Sequence, residues 1–75
     1  MEVLPGRIYA HHKGGRYLVL VLTEESTNQR VGTPGVVYVS LTYGTFKHRD
    51  LSEFIEEVEW PDGSRKPRFI LENPL

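Results

Sequence analysis

The sequence predicts a mainly β fold: a small, SH3-like, strongly bent antiparallel sheet or partly open barrel with one short helical turn, formed by residues 1–75 as a single domain. Three observations predict it. Runs of strand length rich in Val, Ile, Tyr and Thr recur along the chain, Gly and Pro clusters punctuate them, and 75 residues leave no room for a second domain. Five or six short strands that curl toward closure shield their own edges while making a core. The chain has no cysteine, so disulfides and the common zinc sites cannot support so small a core, and tight packing or self-association must do so.

GRIYAH (6–11) suits a strand, and HKGG (12–15) supplies glycines for a tight turn. RYLVLVLT (16–23) is apolar on both faces, which places it centrally in the sheet or under another element or protomer. EESTNQRVGTPG (24–35) is polar and ends in a Gly/Pro cluster, so it reads as a long loop. VVYVSLTYG (36–44) is the next strand, closed by Gly44 before a short TFKHR strand. In DLSEFIEEVEW (50–60), Leu51, Phe54, Ile55 and Val58 recur at helical spacing with Asp50 or Ser52 available as N-cap, yet PDGS follows as a strong turn. The expectation is one helical turn at 50–54, then a strand at 55–60 hairpinned to 66–71.

Charge is unevenly distributed. Residues 1–49 hold six Lys and Arg against three acids, a balance of +3, whereas residues 50–75 hold three against seven, a balance of -4. Such a split favours attraction between like protomers and lets the basic half meet an anion. A net charge of -1 argues against a general nucleic-acid coat. The opening MEVLPG lacks the basic start and apolar centre of a secretory signal, and no long apolar run occurs, so a cytoplasmic protein without membrane contact is expected.

A hairpin from Tyr9 to Tyr17 with a two- or four-residue loop puts Ile8, Ala10, His12, Tyr17, Val19 and Val21 on one face, the expected core. Arg7, Tyr9, His11, Lys13, Arg16, Leu18, Leu20 and Leu22 then share the other, suited to a ligand pocket or a protomer contact. A three-residue loop would reverse this relation. His11 and His12 are adjacent and point apart on a strand, and His48 is the only other histidine, so no metal site and no cofactor are expected. No serine lies in a nucleophile-elbow pattern, and HKGG is no phosphate loop because its lysine precedes the glycines. With no base, nucleophile and orienting group nameable together, the chain is not expected to be an enzyme.

The order of these features resembles a family of small bacterial and phage-borne domains of unknown function. The residues that carry the resemblance are Gly6, Tyr9, His11, Lys13, Gly14 and Tyr17; Val36, Val37, Tyr38, Leu41 and Tyr43; Arg49 and Phe54; and Pro67, Arg68 and Phe69, spanning residues 5–70. Lys47 stands where the family has tryptophan and Asp50 where it has proline, which removes a stacking ring and offers a helix cap. The resemblance implies one compact β domain and says nothing of activity, since the family has none agreed. It also implies that Tyr9, His11, Lys13, Tyr17, Arg49 and Arg68 belong to a shared pattern.

The function expected from these residues is a non-catalytic binding module for an anionic, nucleotide-like small molecule. Lys13, Arg16 and Arg49 would meet phosphate, Tyr9, Tyr17 or Tyr43 would stack on a base, and His11 would donate a hydrogen bond. So small a domain suggests a site between protomers of a homo-oligomer. A phage protein that sequesters a host immune signal would fit. The alternatives are a protein-interaction or inhibitor module acting on a host protein, and single-stranded nucleic-acid binding, which near-neutral charge disfavours. The competing role for Arg49 and Arg68 is pairing with the C-terminal acids to fasten the last hairpin.

Overall fold

The structure is a computed structural model that describes residues 2–72. Its strands are β1 (Ile8–His11), β2 (Arg16–Glu24), β3 (Pro34–Ser40), β4 (Phe46–Asp50), β5 (Glu57–Glu59), β6 (Arg65–Pro67) and β7 (Phe69–Leu71). One helical turn, α1 (Leu51–Phe54), follows β4, and a 3-10 turn occupies Asn28–Arg30 in the loop before β3. The mainly β expectation holds, with the bent sheet left open. A five-stranded antiparallel sheet runs in the order β4-β3-β2-β1-β7, and β5 and β6 form a separate hairpin. The doubly apolar segment becomes the middle strand β2, as its composition requires.

The β1–β2 hairpin has a three-residue loop. Ile8 opposes Leu18, Tyr9 opposes Tyr17 and Ala10 opposes Arg16. The Gly14 N–H donates to the His11 carbonyl at 2.8 Å, and the His11 N–H donates to the Gly15 carbonyl at 3.1 Å. Gly14 and Gly15 take φ of 100° and 91°, the left-handed region that lets so short a loop reconnect the strands. The expected face assignment is therefore wrong. Tyr9, Tyr17 and Val19 look toward the core, while Ile8, Ala10, Arg16 and Leu18 lie on the outer side.

Further along β2, Val19 opposes Tyr38 and Val21 opposes Val37, so Leu20 is an extra residue that bulges the strand and bends it. The bulge turns Val21 to the outer side and sets Leu22 opposite Val36, while Val36 and Tyr38 alternate onto the core side of β3. Gly35 sits where Thr23 Oγ1 and His48 Nε2 hydrogen-bond across it at 3.1 Å. A Cβ there would lie 2.6 Å from that oxygen and 2.5 Å from that nitrogen.

The core is one cluster: Val3, Tyr9, Val19, Val36, Tyr38, Phe54 and Phe69, with Tyr17, Leu51 and Ile55 against it. Helix α1 serves mainly to present Phe54, whose ring stacks on Phe69 at 4.0 Å between centroids and 2° between planes. Asp50 stands at the N-cap position but its side chain makes no cap bond. Its carboxylate instead pairs with Arg30 at 2.7 Å, tying the long loop to the start of the helical turn. The strand expected at 66–71 is divided. Pro67 ends β6, whose partner is β5, and Phe69 begins β7, which crosses to the main sheet and pairs with β1. Splitting this segment seats Phe69 opposite His11.

Candidate functional site

The alternation of β4 sets Lys47 and Arg49 on the core side of the sheet, opposite Tyr38 and Val36. Arg49 Nε donates to the Tyr38 hydroxyl at 3.1 Å, and its guanidinium carbon lies 5.6 Å from the centre of the Phe69 ring. The His11 ring meets the same Phe69 at 4.7 Å and Tyr17 at 6.0 Å. Tyr17, Tyr38 and Phe69, from three strands, thus form a floor, and Arg49 and His11 stand on it.

The Lys13 backbone N–H donates to His11 Nδ1 at 3.2 Å. That bond makes Nδ1 the acceptor and leaves the proton of the neutral ring on Nε2, free to donate. Burial is the largest influence on His11, joined by the charges of His12, Arg49, Arg68 and Lys13, and together they lower its pKa from 6.5 to about 4. His12 has the opposite tautomer. Its Nδ1 faces the Glu59 carbonyl at 3.3 Å, so that nitrogen carries the proton. The two histidine rings lie 4.6 Å apart, but one serves the sheet and the other ties the β1–β2 loop to the β5–β6 turn.

Arg68 is a fastener. Its Nε donates to the Glu53 carbonyl at 2.9 Å and its Nη2 to Glu56 at 2.8 Å, joining the start of β7 to α1 and the residues just after it. Among the described residues, no carboxylate lies within ion-pair distance of Lys13, Lys47 or Arg49. Uncompensated positive charge beside a neutral imidazole donor makes this end of the sheet suited to an anion.

The structure brings together His11, Lys13, Tyr17 and Arg49 of the residues singled out in sequence. Three others lie elsewhere. Tyr9 is 3% exposed, and its hydroxyl accepts the Leu4 N–H at 2.9 Å, so it serves the core. Arg16 lies on the outer face, where Glu72 takes two of its nitrogens at 2.8 to 3.1 Å. Tyr43 is 84% exposed in the turn after β3. Lys47, Tyr38, Phe69 and Trp60 were missed. Strand periodicity through Arg49 would have found Lys47, whereas Phe69 comes to His11 only through the β1–β7 pairing, which no local pattern announces.

Trp60 lies just beyond the cluster. Its Nε1 donates to the Pro67 carbonyl at 3.0 Å, the Lys66 ammonium sits 4.8 Å from its ring centre, and His12 meets it at 6.3 Å. With His12, Lys13, Glu59 and Pro61 it lines a shallow groove of about 520 Å³. A second, more apolar hollow of about 370 Å³ lies beside β7, lined chiefly by Tyr9, Pro67, Phe69, Ile70 and Leu71.

No curated protein matches the sequence. A solved structure does: the crystal structure of a DUF1653 protein from Bordetella bronchiseptica is 29% identical and superposes with a TM-score of 0.74, covering 99% of this chain and 92% of the other. The family model for DUF1653, described as a protein of unknown function, matches residues 7–71, nearly the whole described fold from the first sheet strand to the last. The chain therefore belongs to the DUF1653 family.

Proposed function

We propose that the domain is a non-catalytic binding module for an anionic, nucleotide-like small molecule, held at the Lys13, His11 and Arg49 end of the sheet. The observation that carries this reading is the convergence of cations from separate elements on a neutral His11 donor, with no carboxylate pairing Lys13 or Arg49 among the described residues. Building such a site costs folding free energy through like-charge repulsion and half-buried guanidinium, a cost that anion binding offsets. Capture without turnover, such as sequestration of a nucleotide signal, is the role this chemistry serves. A site between protomers is not required, because one chain already carries both the cations and a groove of a size that small ligands use.

The test is a thermal-shift and calorimetry panel of inorganic phosphate, pyrophosphate and nucleoside phosphates. A ligand at a hundred times its dissociation constant adds about 2.7 kcal/mol to stability. Arg49→Ala should lower affinity at least tenfold while the domain stays folded. Arg68→Ala should instead destabilise the fold by about 1–3 kcal/mol, because it loses charge-assisted bonds to Glu53 and Glu56. Absence of a shift with every anion would sink the reading. Protein interaction is the second reading, and the apolar outer face of the sheet favours it, with Val21, Leu20 and Phe46 exposed there.

A further inference from the structure

We infer that the groove between the β1–β2 loop and the β5–β6 turn is the ring subsite of the proposed anion site, with Trp60 as its platform and Lys13 shared between ring and phosphate ends. The inference rests on the anion-binding reading and deepens it by assigning the aromatic ring of that ligand, as in a nucleoside monophosphate, to this groove.

Three features of the groove support it. First, Trp60 is held in place before any ligand arrives. Its indole N–H is bonded to the Pro67 carbonyl, the Lys66 ammonium lies 4.8 Å from the ring centre, and His12 meets the ring edge-on at 6.3 Å. A fixed ring loses little entropy on stacking, which is what a sequence-tolerant aromatic platform needs. Second, the charge of the lining differs from that of the neighbouring cluster. The groove offers one cation, Lys13, and one acid, Glu59, beside the apolar surfaces of Trp60 and Pro61. It lacks the excess of positive charge that a phosphate would seek and suits an uncharged ring. Third, the two ends are contiguous along the backbone. Lys13 lines the groove while its own N–H sets the tautomer of His11, so a ligand spanning both ends would meet the donor His11 Nε2–H at the phosphate side.

The expected tyrosine stacking is thereby replaced. Tyr9 is inside the core and Tyr17 is packed against it, whereas Trp60 faces an open groove.

Trp60 is the only tryptophan, so its fluorescence reports on this groove alone. The intact chain would be titrated with ribose 5-phosphate and with adenosine and guanosine monophosphates, following both calorimetric affinity and Trp60 emission. The expected result is that at least one nucleotide binds tenfold or more tightly than ribose 5-phosphate and changes the emission, which ribose 5-phosphate leaves unmoved. Trp60→Leu should erase the tenfold advantage without changing ribose 5-phosphate affinity, and Lys13→Ala should weaken both probes. Equal affinities with unchanged emission would overturn the ring subsite while leaving the anion site standing. Failure of every phosphate to bind would overturn both. The affinity ratio and emission of the unaltered protein decide the matter even if Trp60→Leu does not fold.

Discussion

His11 is the residue on which the site's chemistry turns, because the fold keeps it neutral where an ordinary histidine would begin to charge. Its pKa falls from 6.5 to about 4, through burial first and then through the surrounding cations. The folded state thus takes up the proton less readily than the unfolded chain. Its neutral form contributes fully above pH 6.5, and stability drains away as pH falls from 6.5 toward 4. The ring is part exposed, so screening reduces the loss to about 1–2 kcal/mol. An anion beside Lys13 and Arg49 reverses the sign for binding, since it stabilises the imidazolium and raises the pKa. Affinity for inorganic sulfate, whose charge is constant over this range, should therefore rise as pH falls from 6.5 toward 4 even as the free protein loses stability. Calorimetry across that range checks both, and His11→Gln should flatten the pH dependence of each. A pH-independent affinity in the unaltered protein would place the anion away from His11.

At the scale of elements, the hairpin loop decides which residues the site can use. Gly14 lies in the left-handed region with nothing within 4 Å of an added Cβ, so Gly14→Ala tests backbone strain alone and should cost about 1–2 kcal/mol by chemical denaturation. Gly35→Ala tests crowding, since its Cβ would break the Thr23–His48 bond, and a comparable loss should appear there without any left-handed strain. The strands, the central place of β2 and the helical turn at 51–54 were legible in sequence, because alternation, doubly apolar composition and turn residues are local signals. The faces were not. Loop length by one residue inverts every pairing, and YAHHKGGRY is compatible with a loop of two, three or four residues. Leu20 then adds a second shift that no alternation rule shows. His11, Lys13 and Arg49 could be singled out in sequence because charge beside aromatic residues marks them whichever way they face. The burial of Tyr9 could not, since a buried tyrosine with one backbone partner looks the same in sequence as a stacking one.

At the scale of the whole molecule, the sheet has two unlike sides. Phe54, α1 and the N-terminal Val3 cover one, while the other presents Ile8, Leu18, Val21, Val37, Val39, Phe46 and Ile70 with no element of the chain packed over them among the described residues. A sheet face of this composition is normally buried against a second layer. A second copy of the chain is the occupant we propose. The face is the same on both partners and so can pair about a two-fold axis, and the basic first 49 residues and acidic remainder favour attraction between copies. Phe46, 70% exposed at the outer edge strand, is the position at which to break such a contact without touching the core. Sedimentation of the unaltered chain at tens of micromolar should show a dimer, and Phe46→Glu should return it to a monomer of unchanged secondary structure. Because His11, Lys47 and Arg49 lie on the opposite side of the sheet from this face, Phe46→Glu should leave phosphate affinity within about twofold. A monomer at every concentration would remove the second copy as the occupant. A large loss of affinity on dissociation would instead show that the site needs both chains, as the small size of the domain first suggested.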